Sequence, residues 1–187
     1  MSELRKQSPY DALKASGETA VHRYGPSFSA RILVERDLLE GRVFDWGCGH
    51  GYDLNYFRSQ GFSAEGWDPI HLPENPPEKY PVGYFNLVHC AFVLNTLPDS
   101  EERLKILRAI HDFLPASGEI SLTVRSQSNV KTNLKPTWKR YRDGWLTPKG
   151  TFQKGYTAEE LVEMISPLFK DIIVLSRDPV FIIASPV

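Results

Sequence analysis

Apolar residues along the chain alternate between short continuous runs and longer stretches of helical period, the pattern of strands interleaved with helices. Arg42 to Trp46 is a short apolar run that predicts a buried strand. A glycine-rich loop follows it at once, and then a helical stretch from Tyr52 to Gln60 that Gly61 stops. A second strand is predicted over Ala64 to Trp67, ending at Asp68-Pro69. Pro73, Pro76, Pro77 and Pro81 come next and exclude a regular helix, because proline lacks the amide donor and clashes with the preceding turn. The run from Phe85 to Leu94 is too apolar for a half-exposed strand, which predicts a central strand of a parallel sheet covered on both faces.

Capping signals frame the other elements. Ser27 or Ser29 is placed to cap a helix carrying Ala30, Ile32, Leu33, Leu38 and Leu39 as far as Gly41. Asp99 or Ser100 caps another with Leu104, Leu107, Ile110 and Leu114 at helical spacing; Pro115 and Gly118 end it before a strand over Glu119 to Val124. Thr157 with Glu160 forms a capping box ahead of Leu161, Ile165 and Leu168. Asp171 to Ser176 and Val180 to Ser185 read as a hairpin joined through Arg177-Asp178-Pro179. This order predicts a doubly wound α/β fold, a mostly parallel sheet with an antiparallel C-terminal edge hairpin. We expect one domain over residues 1–187, with a helical N-terminal segment (1–41) and an insertion (125–156) that covers one edge of the sheet.

The 187 residues, 41% of them apolar, suffice for one substantial core and not for two ordinary domains. A formal net charge of −1 argues against both a highly basic nucleic-acid binder and an acidic disordered chain. The average conceals a local excess: between Arg125 and Lys154 stand eight Lys and Arg against the single acid Asp143. Cys48 and Cys90 fall at the ends of buried strands, where they build neither a disulfide framework nor a Cys-rich metal site; this fits a reducing cytoplasm. The N-terminus has no apolar signal core and no run approaches the ~18 apolar residues of a membrane span, so neither export nor a membrane anchor is expected.

The loop Gly47-x-Gly49-x-Gly51 lies between a strand and a helix, where its backbone can approach a ligand closely and offer N–H groups. Glycines there also serve as simple turn residues. Two acids favour a binding role: Asp45 directly before the loop, and Asp68 at the end of the next strand, where a carboxylate can accept from both hydroxyls of a ribose. A dinucleotide loop requires Gly-x-Gly-x-x-Gly to meet a pyrophosphate, and here the third glycine comes one position early. That spacing weighs against a nicotinamide-dependent dehydrogenase.

The pattern Asp-x-Gly-x-Gly-x-Gly, the acid after the second strand and the final hairpin resemble class I S-adenosylmethionine methyltransferases along nearly the whole chain. The resemblance implies a Rossmann-like sheet of the seven-stranded type. It also implies S-adenosylmethionine as cofactor, with the loop receiving its methionine part and the acid its ribose. Val43 to Gly51, Gly66-Trp67-Asp68-Pro69, Val93-Leu94-Asn95 and Gly150 to Thr157 further resemble methyltransferases associated with bacterial DNA phosphorothioation. The segment Glu18 to Arg23 does too, with Glu18 where that group carries a basic residue. On this resemblance the cofactor residues are Arg23, Asp45, Gly47, Cys48, Gly49, Gly51, Asp68, Pro69 and Asn95, and the context is DNA modification.

The acceptor is less legible. The Asp/Asn-Pro-Pro-Tyr/Phe motif usual in enzymes that methylate exocyclic base amines is absent, Ala91 to Thr96 standing in its place. Cys90 is preceded by His89 rather than the proline of cytosine-C5 enzymes, and buried thiols are usually inert. The candidates for a catalytic role are Asn95, at the carboxyl edge of the central strand; His89, which reads equally as a hydrogen-bonded core residue; and Tyr156. His22, His50, His71 and His111 show no ligand spacing, so no metal is expected. In the basic stretch, Lys135, Lys139, Arg140, Arg142 and Lys154 could contact phosphates while Trp138, Trp145 and Phe152 offer stacking surfaces. A nucleic acid or other anionic substrate follows from that reading; a solvated face of an anchored insertion is the alternative. The expected activity is methyl transfer to a nucleic acid or nucleotide-like acceptor. A small-molecule acceptor, or a noncatalytic S-adenosylmethionine-binding partner of a modification complex, stays open.

Overall fold

The computed structural model describes residues 19–20 and 22–187. The polar stretch up to Glu18, and Val21, lie outside the described residues. The first helix, α1 (Phe28–Glu35), is capped by Ser27, whose hydroxyl accepts from the Ala30 amide. It ends six residues short of the expected Gly41. Asp37 takes a left-handed φ of 55°, and the Asp37 and Leu38 amides turn back to the Val34 and Leu33 carbonyls, satisfying the last turn.

β1 (Arg42–Trp46), α2 (Tyr52–Ser59) and β2 (Ser63–Trp67) follow as strand, helix, strand. The proline-rich passage holds one short 3-10 turn, Pro77–Lys79. β3 (Leu87–Ala91) is shorter than the apolar run that predicted it, because Phe92 adopts φ 61° and turns the chain into a 3-10 turn at Leu94–Thr96. α3 (Ser100–Phe113) is capped by Asp99, and β4 (Glu119–Val124) follows it. After a short helix α4 (Gln127–Thr132), the insertion forms a small antiparallel sheet of its own, β5 (Lys139–Tyr141), β6 (Gly144–Leu146) and β7 (Phe152–Gln153). α5 (Ala158–Ile165) begins at the Thr157 capping box, where the hydroxyl accepts from the Glu160 amide. The chain closes with β8 (Phe169–Arg177) and β9 (Val180–Pro186).

The main sheet has the order β2-β1-β3-β4-β9-β8, the first four strands parallel and the last two antiparallel to their neighbours. It is the expected Rossmann-like methyltransferase architecture, with six strands among the described residues. Separate apolar clusters cover its faces. One packs α1 and α2 through Leu33, Leu54 and Phe57; the larger packs α3 and α5 through Ile106, Ile110, Leu161 and Ile165. Strand order reverses at β1, with β2 on one side and β3 on the other. The carboxyl ends of β1 and β3 therefore diverge around a crevice, the usual ligand position in such sheets. Among the described residues no helix is long and apolar enough to cross a membrane.

Candidate active site

The loop leaving β1 is shaped by its glycines. Gly47, Gly49 and Gly51 all have left-handed φ, of 70°, 54° and 75°. A side chain at Gly47 would place Cβ 2.5 Å from Val93 Cγ2, so the loop packs against the segment after β3 only because that carbon is missing. The Gly47 and Cys48 amides both donate to the Trp67 carbonyl, at 2.8 and 3.1 Å, which ties the loop to the end of β2. Asp68 is the next residue. Its Oδ1 accepts from the Ile70 and His71 amides and its Oδ2 from the Gly49 amide at 3.2 Å, so one carboxylate organises both loops.

These loops open on a cavity of about 600 Å³, within the size range of small-molecule and cofactor sites. One wall is Gly47, Cys48, Gly49 and Asp68, and the floor is Phe92, Val93 and Asn95 beyond β3. Thr19, Ala20, Arg23 and Phe28 form an outer wall ahead of and within α1. The lining continues past the end of β4, across β3 from β1, with Arg125, Asn129 and Gln153, and with Asp178 and Pro179 from the β8–β9 turn. Asn95 is only 2% exposed and its Oδ1 has no hydrogen-bond partner.

Of the expected cofactor residues, the structure brings Arg23, Gly47, Cys48, Gly49, Asp68 and Asn95 to the cavity. Asp45, Gly51 and Pro69 stand behind the wall: Gly51 starts α2, and Pro69 begins the turn that Asp68 holds. Asp45 lies at the centre of a buried polar group beneath the loop. Burial pushes its carboxyl up to about 7 despite the opposing pull of His89 and Arg23, and its Oδ2 has no hydrogen-bond partner. Asp53 behaves oppositely. Burial opposes its charge, but His89 Nε2 at 3.3 Å, Arg23 Nη1 at 3.3 Å and the Ser27 amide at 2.6 Å together hold it down to about 2. The Cys48 and Cys90 thiols are pushed far up by burial, which keeps them protonated and inert.

Two of the three catalytic candidates do not reach the cavity. His89 is fully buried between Ser121 Oγ at 3.0 Å and Asp53, a satisfied core histidine. Tyr156 is also buried, its hydroxyl 3.5 Å from the Leu94 carbonyl and its ring 4.6 Å from Lys154 Nζ. Asn95 does line the cavity.

The expected substrate surface is corrected at two residues. Phe152 and Lys154 are interior, 3% and 5% exposed, because Lys154 pairs with Glu160 at 2.5 Å and with Asp143 at 3.3 Å. Asp143 in turn takes both ends of the buried Arg103 guanidinium, at 2.6 and 2.7 Å. This network fastens the insertion to α3 and α5. Arg142 pairs with Asp99 at 2.7 Å and Arg140 lies over the Trp145 ring at 5.3 Å. Lys135 and Lys139 are exposed and Trp138 half-buried, and none of these eight residues lines the cavity. The side chains that do, Arg125, Asn129 and Gln153, were missed. The signal for Arg125 was available, since it leaves the carboxyl end of β4 at the same sheet edge that singled out Asn95.

The histidines carry no ligand spacing in sequence, yet three of them meet around His50, which lines the cavity. His50 stacks against His22 and His71 tilts against it, each with ring centroids 4.1 Å apart. Partial burial and the two neighbouring rings hold His50 below the usual imidazole range. Among the described residues no group of His, Cys, Asp or Glu is arranged to hold a metal ion.

A family model described as "Methyltransferase domain" matches residues 19–166. No curated protein matches the chain. Among solved structures, it resembles the Burkholderia thailandensis 1,6-didemethyltoxoflavin-N1-methyltransferase bound to 1,6-didemethyltoxoflavin and S-adenosylhomocysteine. That similarity has a TM-score of 0.63 and 15% identity over 99% of this chain and 92% of that one. The sugar N-methyltransferase KedS8 of a Streptoalloteichus species matches with TM-score 0.62 and 14% identity, covering 100% and 95% of the two chains. CalS10, an S-adenosylmethionine-bound amino pentose methyltransferase of Micromonospora echinaspora, matches at 0.53 and 17%, covering 98% and 93%. At these identities the likeness concerns the fold.

Proposed function

From the premise that the chain belongs to the methyltransferase domain family, we propose that it transfers a methyl group from S-adenosylmethionine to a small organic acceptor held in the cavity. The observation that carries this reading is the cavity's own chemistry. A left-handed glycine cradle and Asn95 line the same cavity, and Asn95 Oδ1 is a buried oxygen lacking a donor, an atom suited to receive a ligand N–H. The residues fit the cofactor. Gly49 leaves room that a side chain would fill, and Asp68 stands at the cavity wall where a ribose would meet it.

S-adenosylmethionine supplies a methyl carbon on a sulfonium sulfur: the acceptor's nitrogen or oxygen lone pair forms the new bond as the C–S bond breaks, its electron pair passing to sulfur and the acceptor's proton to solvent. The protein's part is to position and to exclude water. Phe28, Phe92, Val93 and Pro179 supply apolar wall, so an acceptor enters the site largely desolvated and aligned for in-line attack. No side-chain base is required for a neutral amine, consistent with the placement of His89 and Tyr156 behind the wall. The two free buried cysteines support a reducing, cytoplasmic setting.

A second reading, a nucleic-acid acceptor, is favoured by the exposed Lys135, Lys139 and Arg140 beside Trp138 and Trp145. The resemblance to phosphorothioation-associated methyltransferases belongs with it. Calorimetry with S-adenosylhomocysteine and with NAD tests the first premise; binding of the former alone is expected, and its absence refutes the reading. Transfer of labelled methyl groups across a panel of small amines, phenols and oligonucleotides then separates the acceptors. Steep loss of oligonucleotide affinity with salt would support the second reading.

A further inference from the structure

Arg125 follows the carboxyl end of β4 and lines the same cavity as the glycine loop, with β3 between the strands that carry them. Its guanidinium is held by two neutral amides: Nε and Nη2 donate to Asn129 Oδ1 at 3.0 and 2.8 Å, and Nη1 donates to Gln153 Oε1 at 2.8 Å. Those three bonds leave two of the five N–H groups of a guanidinium unused. Among the described residues no carboxylate pairs with it. Asp178, the acid on the same side of the cavity, has its oxygens on the hydroxyls of Ser126 at 2.6 Å and Ser128 at 3.3 Å.

A half-buried cation with no counter-ion is costly unless a ligand completes it. Burial pulls the Arg125 guanidinium below its ordinary range. Two other arginines near the insertion are paired with acids, Arg103 with Asp143 and Arg142 with Asp99. Two amides gripping one guanidinium fix its plane, which suits it to receive an anion in a forked geometry rather than as a diffuse charge. Phe28, Phe92 and Pro179 add apolar surface to the same cavity.

We propose that the acceptor is a small organic anion, with an apolar body and a carboxylate or phosphate group, and that Arg125, braced by Asn129 and Gln153, receives the anionic group. The inference rests on the methyltransferase reading and specifies its substrate class. Placing the anion on Arg125 directs the far end of the acceptor toward the glycine loop, where the methyl donor would lie.

The test uses the full chain saturated with S-adenosylhomocysteine and titrated by calorimetry with sodium benzoate, its neutral isostere benzamide, and inorganic phosphate. Benzoate or phosphate should bind, benzamide at least about tenfold more weakly, and Arg125→Met should lose about tenfold or more of the anion affinity. Arg125→Lys keeps the charge without the fork and should fall between the two, which preserves the test if Arg125→Met folds poorly by circular dichroism. Preference for benzoate identifies a carboxylate acceptor, and preference for phosphate a phosphorylated one. Equal binding of benzoate and benzamide, anion affinity unchanged in Arg125→Met, or no binding of any probe overturns the assignment. Failure to bind S-adenosylhomocysteine in the first step instead overturns the methyltransferase reading itself.

Discussion

Replacing Asp45 by asparagine should stabilise the protein, and by an amount that depends on pH in a defined way. Asp45 is 2% exposed, its Oδ2 has no hydrogen-bond partner, and burial raises its carboxyl from 3.8 to about 7. The folded protein thus keeps a proton on Asp45 that the unfolded chain has already released above about pH 4. Stability falls as pH rises through that interval and levels off above the folded value. Each pH unit is worth about 1.4 kcal/mol, so the wild type forfeits about 4 kcal/mol at most between about pH 4 and pH 7. Asparagine does not ionise. Its amide adds a constant offset from altered hydrogen bonding, but the difference in unfolding free energy between the two proteins should grow with pH and then plateau. Neighbouring Asp53, held down to about 2, contributes in the opposite sense and only below 3.8, outside this window. Urea denaturation of both proteins from about pH 5 to pH 8 measures the difference directly. A difference that stays constant over that range would falsify the assignment of Asp45 as a buried acid strained by its surroundings.

Three further outcomes are expected. Gly49→Val puts a β-branched residue at φ 54° with Cβ 3.3 Å from Ala20; S-adenosylhomocysteine affinity should drop at least about tenfold while far-UV dichroism is largely retained, and normal binding would reduce the loop to a turn. Asp68→Ala releases the Gly49, Ile70 and His71 amides together, so it should weaken the cofactor by about 1.5–3 kcal/mol and lower the melting temperature as well; calorimetry and thermal unfolding read the two effects separately. Asp143→Asn should cost about 1 kcal/mol near neutral pH, a figure reduced for the solvent screening of a side chain 43% exposed. Arg103 heads the attractions that, against burial, hold Asp143 down to about 2. The stability it provides is therefore full above 3.8 and lost as pH falls through about 2, and a mutant difference that persists below that would exclude an ionic origin.

The strands and caps were legible because their determinants are local. Ser27, Asp99 and Thr157 cap their helices through hydroxyl or carboxylate contacts with amides two or three residues ahead. Asp37 was overlooked as a helix stop because a non-glycine residue at left-handed φ leaves little trace in composition. Phe92 misled for the same reason: its apolar character extends the strand in sequence, while its φ of 61° ends the strand in space. The small sheet of the insertion turns through Arg142 and Asp143, the two residues between β5 and β6, and Arg142 takes φ 47° without the glycine or asparagine that would mark such a hairpin in sequence. The basic stretch was misread at Lys154 because its partners Glu160 and Asp143 are joined to it by the fold, and charge counted along a chain does not show which ions neutralise one another. Gln153, the second brace of Arg125, lies 28 residues beyond it, outside any local pattern.

The outer wall of the cavity has a different physical character from the rest. Thr19, Ala20 and Arg23 precede α1 and carry little apolar burial; Arg23 sits 3.3 Å from Asp53 without a formed hydrogen bond, and the exposed His22 leans on His50. With so little apolar burial, these residues should need only a small fraction of the free energy of global unfolding to part from the sheet behind them. Residence time of the demethylated product should respond to substitutions at the exposed His22 that leave global stability untouched.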